Sequence, residues 1–296
     1  MSAAGERSLA TLAATLVDGW VGNGCVVLDP WDGELSARSM APQAFFALAG
    51  ERHVRWVTRQ VVREPSEARY GRSPVRQVRS TQIRVLLRPT PEDLFGHFVA
   101  SLRPSEQGLD ECELRLRPTE WRVRDLGVQG SGWLALMDGL LVARFIDLRV
   151  AGGSAVDPTA TEITYGVERL ALVASSDRSL RRLQQEHCAE YAVQRRDEEQ
   201  ELSRHLLEVL EEGELMRRLE RELAAAQRSL DERLPVPAFE SILRGISCAE
   251  VLRARGAFRT LREARAGKRL TELSGGCRRL VGSAHGAGER TRSGDV

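Results

Sequence analysis

Arginine is the residue type best placed to do chemistry in this chain. Lys268 is the only lysine, and every other basic residue apart from the histidines is an arginine. A codon bias toward arginine accounts for most of that excess. Even so, a planar guanidinium binds two phosphate oxygens at once, which an ammonium does not. The stretch Glu162-Ile163-Thr164-Tyr165-Gly166-Val167-Glu168-Arg169-Leu170-Ala171 gives one arginine a specific task. Gly166 allows the backbone to lie close to a bound group, and Arg169 offers that group a cation. Ile163, Val167 and Leu170 would hold the segment, read as a helix over 163–174, to a sheet beneath it.

Other chemistries find less support. The five cysteines, Cys25, Cys112, Cys188, Cys248 and Cys277, are scattered without a C-x-x-C pair. They form no zinc spacing, and their odd number argues against a disulfide framework. His187 beside Cys188 reads as helix surface. With 43 basic against 42 acidic residues the net charge is near zero, and nothing points to DNA. No basic stretch leads into an apolar core at the N-terminus, and no apolar run is long enough to cross a bilayer. A cytoplasmic setting without a membrane partner is the expectation.

The arginines need a scaffold, and the hydrophobic pattern supplies an α+β one. Residues 8–20 form an amphipathic helix capped by Ser8, with Leu9, Leu12, Leu16 and Trp20 on one face. Cys25 to Leu28 is a short buried strand, and Gln43 to Leu48 a short helix. Strands follow at Val54–Val62 and Val78–Leu87, separated by a polar loop with Pro65, Gly71 and Pro74. Thr90 and Pro91 open a helix that buries Leu94, Phe95, Phe98 and Leu102. Leu114 and Leu116 mark a strand at the sheet's margin, and Asp138-Gly139 joins two more, Trp133–Met137 and Leu140–Val150. Gly152-Gly153 ends that run. Antiparallel strands followed by a helix predict a sheet with helices on one face.

Beyond about Asp177 the strand formers thin out and Leu, Glu and Arg dominate. Met216, Leu219, Leu223, Ala226 and Leu230 recur at spacings of three and four, as in a helix of a small bundle. Pro235 and Pro237 precede another helix, Phe239 to about Arg255, and from Gly282 the chain is rich in Gly, Ser and charge. The expected division is 1–176 for a catalytic unit, 177–281 for a helical one and 282–296 for an unstructured tail.

Residues 162–171 closely resemble motif 3 of the glycyl-tRNA synthetase α subunit, G-E-I-T-Y-G-L-E-R-L-A, a bacterial α2β2 class II enzyme family. Asp18, Trp20, Gly24 and Cys25 match the end of that family's first helix. Arg63, Pro65, Arg69-Tyr70-Gly71, Pro74 and Arg76 match its motif 2 region, continuing without a gap through Gln82 to Pro91. Leu234 to Glu240 is similar to its L-P-L-P-A-Y-E segment, so the resemblance spans about residues 8–265.

The resemblance implies a class II antiparallel sheet flanked by helices, followed by a helical C-terminal region. It also implies ATP-dependent activation of glycine as an acyl-adenylate, transfer to tRNA, a homodimer and a separate β subunit. Arg63 would hold the α-phosphate and Arg169 the γ-phosphate as catalytic residues, with Arg69, Arg76, Gln82 and Gly166 completing the ATP site. Glu34, Trp133, Arg144, Asp147 and Glu162 would bind the substrate acid. Mg2+ is implied by the class, but Leu134 and Leu141 stand where the family has glutamates on the strands before motif 3. Leucine binds neither a metal nor an ammonium group.

Other positions depart as well. Arg144, Ile146 and Asp147 replace Gln, Thr and Tyr, Ile83 replaces an aromatic that stacks on adenine, and Arg72 replaces a loop glutamate. Glu34 to Ser39 keeps a glutamate but loses two glycines. Arg72, Arg144 and Arg149 are then candidates to stand in for metal charge, and an arginine in place of an ammonium site favours a more anionic acid. Glu34, Asp138 and Asp147 are candidates to rebuild a carboxylate set. Three functions stay open: a ligase charging tRNA with glycine or a related small acid, a non-catalytic paralogue that binds protein or RNA, and a ligase loading a carrier protein or amine.

Overall fold

The computed structural model describes residues 9–50, 53–73, 75–102, 112–174, 189–258 and 260–292. Ser8, Pro74, His187 and Cys188 lie outside them. Strands β1 (Val26–Val27), β2 (Val54–Arg63), β3 (Arg79–Arg88), β4 (Leu114–Val123), β5 (Val128–Met137), β6 (Leu140–Ala151) and β7 (Ser154–Gly166) form one sheet. Its order is β1-β2-β3-β7-β6-β5-β4, antiparallel throughout except for the β1–β2 pair. Asp138 and Gly139 both adopt positive φ, 47° and 81°, the twist-matched turn that joins β5 to β6.

The largest departure from the sequence pattern is β7. Gly152 and Gly153, at φ 55° and 74°, turn the chain back into a hairpin rather than ending the strands. Ser154–Gly166 is therefore strand, and the helix α4 covers only Val167–Ala174. β7 lies between β3 and β6 and is buried on both faces, so its apolar run shows no alternation. Motif 3 is a strand that delivers Gly166 to a helix start, not a helix from Ile163 onward.

Helices cover both faces of the sheet, not one. On the first face α1 (Leu9–Gly22), α3 (Leu94–Leu102) and α4 bury Leu12, Leu16, Trp20, Phe98 and Leu170 against Val57, Ile83, Val85, Phe145, Ile163 and Tyr165. Trp20 Nε1 donates to the Tyr165 hydroxyl at 3.0 Å, which also pairs with Ser101 Oγ at 2.8 Å, pinning α1 and α3 to β7. Phe95 of α3 is exposed rather than buried, and so are Val26 and Val27 of the two-residue strand β1.

On the second face α2 (Pro42–Ala47) and the C-terminal helices α6 (Glu212–Asp231), α7 (Pro235–Ala254) and α8 (Thr260–Arg292) pack on Val54, Leu86, Ile146 and Leu148. Leu215, Leu219, Leu223 and Ala226 form the buried stripe of α6, and the stripe packs on α7 as in a bundle. Pro235 and Pro237 occupy the first turn of α7, where a missing N–H costs nothing. Among the described residues no helix is long and apolar enough to cross a membrane.

Candidate functional site

The second face of the sheet is left open at one end, where a cleft of about 310 Å³ forms. Cross-strand register builds its floor. Thr58 pairs with Arg84, Arg84 with Thr164, Thr164 with Arg144, and Arg144 with Leu134. One step along, Gln60 pairs with Gln82 and Gln82 with Gly166. Gln82, Arg144, Thr164, Gly166, Glu168 and Arg169 line the cleft, with Ala37, Glu64, Trp121 and Leu141 around them.

The carbonyl of Ala37 ties these side chains together. It accepts from Gln82 Nε2 at 3.4 Å, Arg84 Nη2 at 3.0 Å and Arg144 Nη2 at 3.2 Å. Arg84 also donates to the carbonyls of Ser36 and Ser39 and, through Nε, to Gln82 Oε1, so its donors are spent on protein. Burial lowers the Arg84 pKa, and Glu162, whose Oε1 lies 3.9 Å from Nη1, opposes that shift. Arg144 stacks on the Trp121 ring with Cζ 3.9 Å from the centroid. Burial brings its pKa down to about 10, again opposed by Glu162, so it remains a cation at neutral pH.

Arg169, on the first turn of α4, reaches the carbonyl of Leu141 at 3.4 Å. Among the described residues neither Arg144 nor Arg169 has a carboxylate within salt-bridge distance. The acidic residues of the cleft are all engaged. Glu64 pairs with Arg38 at 3.5 Å, Glu67 with Arg76 at 3.2 Å, and Glu168 accepts the Thr81 amide at 2.8 Å. The cleft therefore offers two cations that have no salt-bridge partner among the described residues and can receive anionic groups.

The structure gathers some of the sequence candidates and leaves others elsewhere. Gln82, Gly166, Arg169 and Arg144 share the cleft. Glu162 sits beneath it in a recess of about 30 Å³ with Trp56, Thr58, Gln60 and Arg84. Arg63 does not line the cleft; its neighbour Glu64 does, because alternate strand residues face opposite ways. Burial lowers the Arg63 pKa, and Glu34, Arg79, Glu199 and Arg195 are the charges acting on it. Arg69 donates to the carbonyls of Ser66 and Ala68, and Arg76 is held by Glu67.

Glu34 is exposed, and Trp133 is half-exposed on β5. Asp147 accepts from Thr161 Oγ1 at 2.5 Å, away from the cleft. Asp138 accepts the Glu113 amide in a turn, Arg149 is exposed, and Arg72 lies over Tyr70. Ile83 faces α1 and α3 in the core, so Ser80 and Gln82, not Ile83, are what β3 presents to the cleft, with Arg84 beneath it. Glu64, Glu168, Thr164 and Trp121 were not among the sequence's site candidates; the period-two parity of β7 identifies Thr164.

Glu250 of α7 supports this site from behind, accepting from Ser36 Oγ at 2.6 Å. Burial pushes its pKa up to about 7, while the Ser36 bond acts in the other direction. The folded pKa lies above the unfolded value, so the native state holds this proton more tightly. The group's contribution to stability is complete below about pH 4.5 and is lost as pH rises through about 7, by at most about 3 kcal/mol. Glu250→Gln is expected to match the parent protein at pH 4.5 and exceed it at pH 8 in urea denaturation. The same pH response in both proteins would show that Glu250 stays ionised when folded.

The match to known proteins covers the whole of this arrangement. The family model for "Glycyl-tRNA synthetase alpha subunit" aligns with residues 9–282. The glycine–tRNA ligase α subunit of Coprothermobacter proteolyticus is 29% identical over 247 residues, 83% of this chain and 85% of that one. That of Rickettsia prowazekii is 28% identical over 263 residues, 87% of this chain and 91% of its own. With the antiparallel sheet, the strand-to-helix motif at Gly166 and the C-terminal helices in place, the chain belongs to the glycyl-tRNA synthetase α-subunit family.

Proposed function

We propose that this protein is an adenylate-forming ligase that uses ATP to activate glycine or a related small acid for transfer to tRNA. A carboxylate oxygen of the acid attacks the α-phosphorus, the bond from that phosphorus to the bridging oxygen breaks, and pyrophosphate leaves. A tRNA hydroxyl then attacks the acyl carbon and AMP departs. The observation that carries this reading is the shared cleft of Arg169 and Arg144, two cations with no salt-bridged carboxylate among the described residues, beside Gly166 just before α4. Such a cleft contributes position and positive charge rather than a covalent nucleophile.

A magnesium ion is implied by the family, and the residues present do not fit one. Leu134 and Leu141 offer no oxygen, the cleft glutamates are engaged, and among the described residues no cluster of His, Cys, Asp or Glu could hold a metal ion. In this reading the charge comes from arginine, with Arg169 beside Gly166. A second copy of the chain, a β subunit and tRNA are the partners, the cytoplasm the setting. The chain then divides into a catalytic part, 1–176, a helical part, 177–281, and a terminal stretch, 282–296, into which α8 continues as far as Arg292.

ATP–pyrophosphate exchange across a panel of amino acids tests the proposal. Exchange dependent on glycine or another small acid is the expected result. Exchange followed by transfer only to a carrier protein or amine would replace the acceptor. ATP binding without exchange for any acid would leave a binding protein of the same fold.

A further inference from the structure

Among the described residues, the buried polar atoms with no hydrogen-bond partner include Glu67 Oε2, Thr164 Oγ1 and Arg144 Nε of the cleft lining. Two of them are direct cross-strand neighbours that line the cleft, since Arg144 pairs with Thr164. Paired residues on one sheet face place their Cβ atoms about 4.5–5.5 Å apart, so one small group can meet both side chains. Thr164 is only 5% exposed, and among the described residues nothing answers its hydroxyl. Buried polar groups without partners are rare because each forfeits its hydration for nothing, and such groups mark where a ligand completes the set.

The donors define that ligand. Arg144 lies over Trp121 and its Nη2 donates to the Ala37 carbonyl, while its Nε has no hydrogen-bond partner among the described residues. A guanidinium edge beside a hydroxyl suits a carboxylate or phosphate oxygen and repels an ammonium. Arg169, at a separate point of the same cleft, is the cation left for the triphosphate. Resting on the ligase reading above, we infer that Arg144 and Thr164 form a subsite for a second anionic group on the acid, so the activated substrate is a small dicarboxylic amino acid rather than glycine. Arg144 and Thr164 determine specificity; the carboxylate they hold does not react. The same oxygen chemistry could come from ATP, and the test separates the two.

The experiment is pyrophosphate exchange by the full chain with glycine, alanine, aspartate and iminodiacetate, in the parent protein, Arg144→Met and Arg144→Lys. The expected parent result is a kcat/KM for a dicarboxylic acid at least tenfold above that for glycine. Arg144→Met, which keeps an apolar stem on Trp121, is expected to raise KM for that acid tenfold or more and leave KM for ATP within twofold. Glycine preferred over both dicarboxylic acids would overturn the inference while leaving the ligase reading intact. A raised KM for ATP with an unchanged KM for the acid would overturn it too, assigning Arg144 to phosphate. If no acid supports exchange, the ligase reading fails by itself. Calorimetry with aspartate and iminodiacetate then decides the subsite: binding tighter than glycine and lost in Arg144→Met supports it, and no such difference overturns it. Should Arg144→Met not fold, Arg144→Lys keeps the charge without the fork and is expected to retain part of the preference.

Discussion

Arg169→Ala is expected to lower the rate of pyrophosphate exchange by roughly 100- to 1000-fold, the usual effect of removing one preorganised donor at a site of developing charge. ATP affinity is expected to fall with it, measured by calorimetry on the same preparation. The size follows from what the side chain does not do. Among the described residues its one hydrogen bond is a long one to the Leu141 carbonyl, and no carboxylate lies within salt-bridge distance of it. Little of the fold depends on it, since Val167, Leu170 and Ala171 hold α4 to the core without it. Arg169→Lys keeps the charge but loses the two-pronged grip, so it should fall between the parent and alanine proteins. An alanine variant with unaltered nucleotide affinity would remove Arg169 from the site altogether.

The second large effect concerns stability. Phe239 in the first turn of α7 is fully buried, stacked on Phe45 of α2 at a centroid distance of 4.5 Å and against Phe46 at 5.2 Å. Phe239→Ala is expected to cost about 3–5 kcal/mol, since the ring leaves a cavity that two docked helices cannot both collapse into. Phe239→Leu, closer in volume, is expected to cost much less. Urea denaturation monitored by tryptophan fluorescence reads both, and similar midpoints for alanine and parent would mean that α7 does not dock through this ring. The loss should reach the cleft as well, because α7 carries Glu250, the residue that holds Ser36.

How much of this was legible from the residues depended on the range of the contact. Local signals were reliable. Asp138-Gly139 specified its turn, and Leu114 and Leu116 marked β4, which does lie at the sheet's edge. The motif at 162–171 identified the family, yet its secondary structure was misjudged. Ile163, Val167 and Leu170 fit a helical stripe, while Ile163 belongs to a central strand whose two buried faces hide the period of two.

Parity was the next obstacle. A motif places Arg63 and Ile83 near phosphate and adenine, but a strand turns successive side chains to opposite faces. Glu64, Gln82 and Arg84 are the ones that reach the cleft or its floor. Least visible were the supports from distant helices. Glu199 of α5 (Ala189–Arg204) accepts the amides of Val78 and Arg79, and Glu250 takes Ser36 across 214 positions of sequence. Such pairs depend on how helices dock, and no local pattern announces them.

The turn at residues 36–39 carries a consequence for how this cleft can vary. Gln82, Arg84 and Arg144 all grip its main-chain carbonyls, at Ser36, Ala37 and Ser39, and a carbonyl is the same whatever side chain stands beside it. The loss of two glycines at Glu34–Ser39 is therefore compatible with an intact floor. Spelling there is free to drift, whereas a single inserted or deleted residue would carry every carbonyl off its donor. These contacts constrain the turn's length rather than its letters.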